Sequence, residues 1–221
     1  MNNIRHIMLA WMLLLASTFL SAQTHDAAAF TVSTVTPELH ARMLKGGSIK
    51  KNSTIDISQL RYLTILHYNY QGQVKRGEIV CNKAIAQDLI EIFRELYRNK
   101  YQIERVELID NFGADDQRSM SANNTSSFCY RTTSGTGKLS KHARGMAIDI
   151  NTQDNPYVRH SATGKTIVEP NTAKARQYAN RTPKKPHMID HNDLCYKLFR
   201  QHGFRWGGDW KHSKDYQHFE K

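Results

Sequence analysis

Two short clusters carry side chains suited to holding a metal. The first runs Ser140-Lys141-His142-Ala143-Arg144-Gly145-Met146-Ala147-Ile148-Asp149. Imidazole nitrogen and carboxylate oxygen are both good zinc ligands. His142 and Asp149 are seven residues apart, a spacing that shares a face on a helix but not on a strand. Gly145 and the β-branched Ile148 and Ile150 favour a strand. His142 is therefore expected on the loop before that strand, with Gly145 letting the backbone bend toward the metal. Taken alone, the pair reads equally well as a buried carboxylate and a surface imidazole.

The second cluster, Asp215-Tyr216-Gln217-His218-Phe219-Glu220, adds a third candidate ligand, His218. A catalytic zinc keeps three protein ligands and one open position, and needs a base to take a proton from water. Asp215 is placed to be that base if the chain turns at Tyr216-Gln217. Glu220 lies two residues beyond His218, on the same face of a strand, where it can support the imidazole. The bland reading of this segment is an edge strand with solvated charges.

These clusters need elements to position them. Tyr62 to Tyr70 is rich in aromatic and β-branched residues, Gln71-Gly72 breaks it, and Gly77 to Cys81 resumes, which reads as a β-hairpin. Ile85, Leu89, Phe93 and Leu96 share a helical face, with Asn82 as cap. Val106 and Leu108 alternate with charged residues, as in a half-buried strand. Met146 to Ile150 is a short apolar strand. Residues 151–187 are polar, carry Pro156, Pro170 and Pro183, and read as a long loop. A helix is expected from Asp190 to His202, ended by Gly203. Hairpins and separate helices together indicate an α+β domain, a small antiparallel sheet with flanking helices.

The chain has 221 residues, room for one domain and a leader. Arg5 and His6, the uncharged run Ile7 to Leu20 and the small residues Ser21 and Ala22 form a secretory signal peptide pattern over residues 1–22. The run is shorter than the roughly 20 residues of a spanning helix, so no membrane anchor is expected after cleavage. Residues 23–58 read as a polar, loosely packed arm or pro-segment, and residues 59–221 as the domain. Losing Arg5 takes the formal charge from +11 to +10. A basic exported protein suits a polyanionic envelope, and no nucleic-acid recognition motif is present. Cys81, Cys129 and Cys195 are odd in number, so at most one disulfide can form.

The two clusters together resemble the zinc D-alanyl-D-alanine carboxypeptidases and L-alanyl-D-glutamate endopeptidases, the VanY-like group that trims peptidoglycan stem peptides. Ser140, His142, Gly145, Ala147 and Asp149 match that family's Ser-x-His-x-x-Gly-x-Ala-x-Asp motif, and Asp215, His218, Phe219 and Glu220 match its second. The resemblance implies a LAS-type fold with the zinc site at the sheet. It implies one zinc per chain on His142, Asp149 and His218, and Asp215 as general base. Tyr130-Arg131 matches a Tyr-Arg pair whose arginine contacts substrate. Gly207-Gly208-Asp209-Trp210 and Asn155-Pro156-Tyr157 also look like the endopeptidase branch. The resemblance implies that Ser140, Tyr130 and Trp210, like Glu220, either support the ligands from behind or contact the substrate. The substrate implied is a stem peptide in the cell envelope, with either bond open. Two other readings compete: a non-catalytic wall-binding module retaining a structural zinc, and a cysteine hydrolase using Cys129, for which no partner spacing is present.

Overall fold

The computed structural model describes residues 29–132 and 137–221. The expected leader, residues 1–22, lies outside them. Strand β1 (Thr31–Thr34) and helix α1 (Pro37–Gly46) come first. Thr36 caps α1 by accepting from the Leu39 N–H, and Pro37 sits in the first turn, where a missing amide hydrogen costs nothing. β1 pairs antiparallel with β2 (Leu60–Tyr68), and β2 turns back into β3 (Val74–Asn82). The hairpin is as expected from the sequence. The loose packing expected before it is not what the structure shows from residue 29 on, because Phe30, Met43 and Ile49 are buried.

Asn82 ends β3 and caps α2 (Lys83–Arg98), accepting from the Ala84 N–H. Ile85, Leu89, Phe93 and Leu96 form the expected stripe and pack with Leu63, Ile65 and Ile79 of the hairpin. Strand alternation sends Leu60 and Val80 to the opposite face, where they meet Met43, Leu108 and Phe128. Each such fully buried side chain contributes about 1.5–3 kcal/mol relative to exposure. The sheet is thus held from both sides, and its end at Asn82 is a fixed point for the loop that carries His142.

Three short elements follow: β4 (Arg105–Val106), α3 (Asp116–Ser121) and β5 (Asn124–Thr125). β4 and β5 pair in parallel, and the strand expected through Leu108 stops at Val106. β6 (Ala147–Asp149) matches the expected apolar strand. The supposed loop of 151–187 is a correction: it contains the hairpin β7 (Tyr157–His160) and β8 (Thr166–Glu169), then α4 (Ala173–Ala179). Its base is fastened by Asp154, which is fully buried. Asp154 accepts from Asn123 Nδ2 at 2.7 Å and from the Tyr70 hydroxyl, and pairs with Lys174 Nζ at 2.8 Å. A buried charge without such partners would be strongly destabilising.

α5 (Leu194–Gln201) starts later than expected because Asp193, not Asp190, supplies the cap to Cys195 N–H. The chain closes with β9 (Arg205–Trp206), β10 (Ser213–Asp215) and β11 (His218–Glu220). The larger sheets run β1-β2-β3, β10-β7-β8 and β6-β11-β9, all antiparallel. The fold is a mixture of helices and small antiparallel sheets, as the α+β expectation has it. Among the described residues no helix is long and apolar enough to cross a membrane.

Candidate metal centre

β6 and β11 lie side by side with Asp149 opposite His218 and Ile148 opposite Phe219. Alternation divides this ribbon cleanly. Ile148 and Phe219 are fully buried in the main core, with Phe219 stacked on Phe199 at 4.2 Å. Asp149, His218 and Glu220 therefore face the other way, into a cleft of about 540 Å³.

His142 reaches the same cleft from a tight turn, His142–Arg144, just before β6. Ser140 Oγ accepts from the Ala143 N–H at the start of that turn. Gly145 ends it with φ +67°. A Cβ on Gly145 would lie 2.5 Å from the Asn82 nitrogen, so only glycine lets the turn press against the end of β3. Asn82 seals the contact, its N–H donating to Gly145 O at 2.8 Å and its Nδ2 to Arg144 O at 3.1 Å. Gly207 has the same use at the other end. A Cβ there would lie 2.6 Å from Asp215 O and 3.2 Å from the His218 Cβ. The Trp206 Nε1–H donates to Tyr216 O at 2.9 Å and holds the turn between β10 and β11.

One donor atom from each of His142, Asp149 and His218 lies within 4.8 Å of the others. His142 Nε2 is 3.1 Å from His218 Nδ1 and 3.3 Å from Asp149 Oδ2, and His218 Nδ1 is 3.0 Å from Asp149 Oδ1. Donors about 2.0–2.1 Å from a tetrahedral zinc stand about 3.3 Å from one another, so the three fit that ion. The outer nitrogens are engaged in the way metal ligands require. His142 Nδ1–H donates to Ser127 O at 2.6 Å, which leaves Nε2 its lone pair. His218 Nε2 faces Glu220 Oε2 at 3.4 Å, and Glu220 is held in turn by Arg205 at 2.8 Å.

The charges point the same way. Burial works against a charged His218, but hydrogen bonds to Asp149 and Glu220 and the charges of Asp149 and Asp215 push its pKa up to about 10. Burial would likewise raise Asp149, yet the two imidazoles hold its carboxyl well below the usual range. Three carboxylates thus crowd one imidazole and favour a cation among them. Asp215 is pushed up to about 7, chiefly by burial, with Asp149 adding to the rise and His218 opposing it. Its Oδ1 is buried without a hydrogen-bond partner and Asp215 lines the cleft, so this oxygen can take up a proton.

The remaining expected site residues divide. Arg131, Ser140 and Trp210 line the cleft, and the Trp210 ring is 5.3 Å from that of His218. Arg131 Nε pairs with Asp116 Oδ2 at 2.8 Å. Tyr130 turns away: its hydroxyl meets Thr54 Oγ1 and accepts from the Thr54 N–H, each at 3.1 Å, and its ring packs on the second apolar cluster. Asp116, on the first turn of α3, is a cleft residue the sequence reading misses, because the polar run around it has no periodicity to place it. Glu169 is another, hidden in the unrecognised hairpin. The three cysteines are free and buried. Burial pushes the Cys129 thiol up to about 12, which leaves it without nucleophilic thiolate near neutrality.

No curated protein and no solved structure matches the chain. Residues 134–221 match the family model described as D-alanyl-D-alanine carboxypeptidase. That segment contains all three candidate ligands and Asp215. The match bears out the resemblance drawn from the two motifs, and the family to which residues 134–221 are matched is the D-alanyl-D-alanine carboxypeptidases.

Proposed function

We propose that the protein is a zinc-dependent peptidase that hydrolyses the stem peptides of peptidoglycan, exported by the signal sequence of residues 1–22. The observation that carries this reading is the convergence of His142 Nε2, Asp149 and His218 Nδ1 at zinc-ligand spacing beside an unpartnered carboxylate oxygen of Asp215. The match of this segment to carboxypeptidases supplies the substrate class.

When bound, zinc supplies Lewis acidity that makes water a usable nucleophile near neutral pH. The chain's own residues do the rest. Asp215 accepts the proton of the attacking water at Oδ1 and passes it to the leaving amine. Its burial disfavours the charged form and so favours taking up a proton there. Glu220 and Ser127 O fix the two imidazole rings. Arg131, steadied by Asp116, lies in the cleft wall where it can pair with a substrate carboxylate or with the developing oxyanion. Trp210 gives that wall an apolar surface.

Purified peptidoglycan and synthetic stem peptides test this. Release of free D-alanine identifies carboxypeptidase cleavage, and new N-terminal D-glutamate identifies the endopeptidase bond. Zinc-loaded protein that binds the wall and releases neither fragment is a binding module, and the peptidase reading fails.

A further inference from the structure

The hairpin of β7 and β8 is joined edge-on to β10, the strand that ends on Asp215. In this sheet Asp215 stands opposite Tyr157, and Tyr157 stands opposite Glu169. Directly opposed residues project from the same side of a sheet, so the three form one row. All three line the cleft. At about 4.8 Å per strand, Glu169 lies about 10 Å along the row from Asp215.

The other cleft carboxylates are already engaged. Asp116 is paired with Arg131, Asp149 with both imidazoles, and Glu220 with His218 and Arg205. Glu169 has a weaker hold. Its ion pair with Arg159 is 3.7 Å long, with side chains 42% and 33% exposed. An exposed pair of that kind contributes little and exchanges readily for a better partner.

We propose that Glu169, with the Tyr157 ring beside it, is a specificity-determining residue that binds a free amino group on the peptide substrate. An extended peptide advances about 3.3 Å per residue, so 10 Å corresponds to about three residues from the scissile bond. A long side chain covers part of that span, so the amino group belongs to a diamino acid one or two residues away. The carboxylate gives the ammonium a charge-assisted hydrogen bond, and the phenol ring gives it an electron-rich face. The inference rests on the peptidase reading for the identity of the ligand and on the strand register for its place.

The test uses two synthetic stem peptides that differ only in a lysine or an Nε-acetyl-lysine at that position. Hydrolysis by zinc-loaded protein is compared with calorimetric binding to Asp215→Asn protein, in each case with Glu169 intact, Glu169→Gln or Glu169→Lys. With Glu169 intact, the free amine is preferred about tenfold or more in both readouts. Glu169→Gln brings the ratio to within about twofold, and Glu169→Lys reverses it. Equal handling of both peptides by the protein with Glu169 intact, or a preference that survives Glu169→Gln, overturns the inference and leaves the peptidase reading in place. A Glu169-dependent binding preference with no hydrolysis does the reverse. If neither peptide is bound or cut, both fail.

Discussion

Asp149 and His218 are direct cross-strand partners, with Asp149 Oδ1 3.0 Å from His218 Nδ1, and their chain neighbours Ile148 and Phe219 are partners on the opposite face. The core therefore sets the register of the candidate ligands. A slip of one residue would bring Ile148 and Phe219 to the cleft and turn Asp149 and His218 into the core. Such a slip would both bury charge and expose an aromatic ring, so the arrangement is specified by packing before any metal arrives.

One zinc per chain is the expected stoichiometry after dialysis. His142→Ala and His218→Ala each leave two donors and should bind well below one equivalent, measured by metal analysis alongside hydrolysis. Chelation should abolish hydrolysis and added zinc should restore it. Full hydrolysis by a preparation verified as metal-free would overturn the zinc assignment.

Asp215→Asn separates the metal from the chemistry. The amide is close in shape but takes no proton. The variant should keep its zinc and lose turnover by roughly 10²-fold or more. A variant that instead loses zinc, while keeping full turnover per bound ion, would make Asp215 a ligand or a support.

Gly145→Ala should disturb the site through the backbone alone. The added Cβ meets the Asn82 nitrogen at 2.5 Å in a turn whose φ is +67°. Strain of this sort costs on the order of 1–3 kcal/mol, and steric overlap with backbone adds to it. We expect a lower melting temperature and, in the fraction that folds, weaker zinc binding as the His142 turn shifts. Unchanged stability and affinity would mean that the tight turn at Gly145 does not position His142.

The long elements and the candidate ligands are legible in the sequence for different reasons. The hairpin around Gly72 and the α2 stripe from Ile85 to Leu96 are long enough for their periods to be read, and Asn82 behaves as the cap its residue type suggests. His142, Asp149 and His218 are legible because two motifs fix their spacing. The β7–β8 hairpin is not legible: each strand has four residues, none fully buried, so no apolar alternation marks it. What orders that region is the buried Asp154 network, whose partners Tyr70 and Asn123 lie far away in sequence. α1 is a different case. Thr36-Pro37-Glu38 is a helix start signal, but the polar composition around it points to an arm instead.

β11 is anchored through its successor Lys221, whose N–H, carbonyl and ammonium each have a polar partner. Its N–H donates to Met146 O at 3.0 Å, its carbonyl accepts from Lys141 Nζ at 3.0 Å, and its own Nζ is 2.8 Å from Asp88 Oδ2 on α2. His202 Nδ1 is 3.1 Å from the other oxygen of Asp88. Burial works to raise the Asp88 pKa, but the hydrogen bonds and charges of Lys221 and His202 outweigh it, and the net direction is down. A carboxylate with a folded pKa below its unfolded one stabilises the fold above the unfolded value, about 3.9. That contribution disappears as the pH falls through the lower, folded value. Asp88→Asn should therefore lower stability at pH 7 by about 1 kcal/mol or less, since the pair is partly exposed. The gap between the two proteins should narrow steadily in denaturation curves taken below about pH 4. Zinc content should stay at one equivalent, because β11 keeps its backbone pairing with both β6 and β9. A gap of the same size at pH 7 and at pH 3 would show that the Asp88 charge is not what fastens this end of the chain.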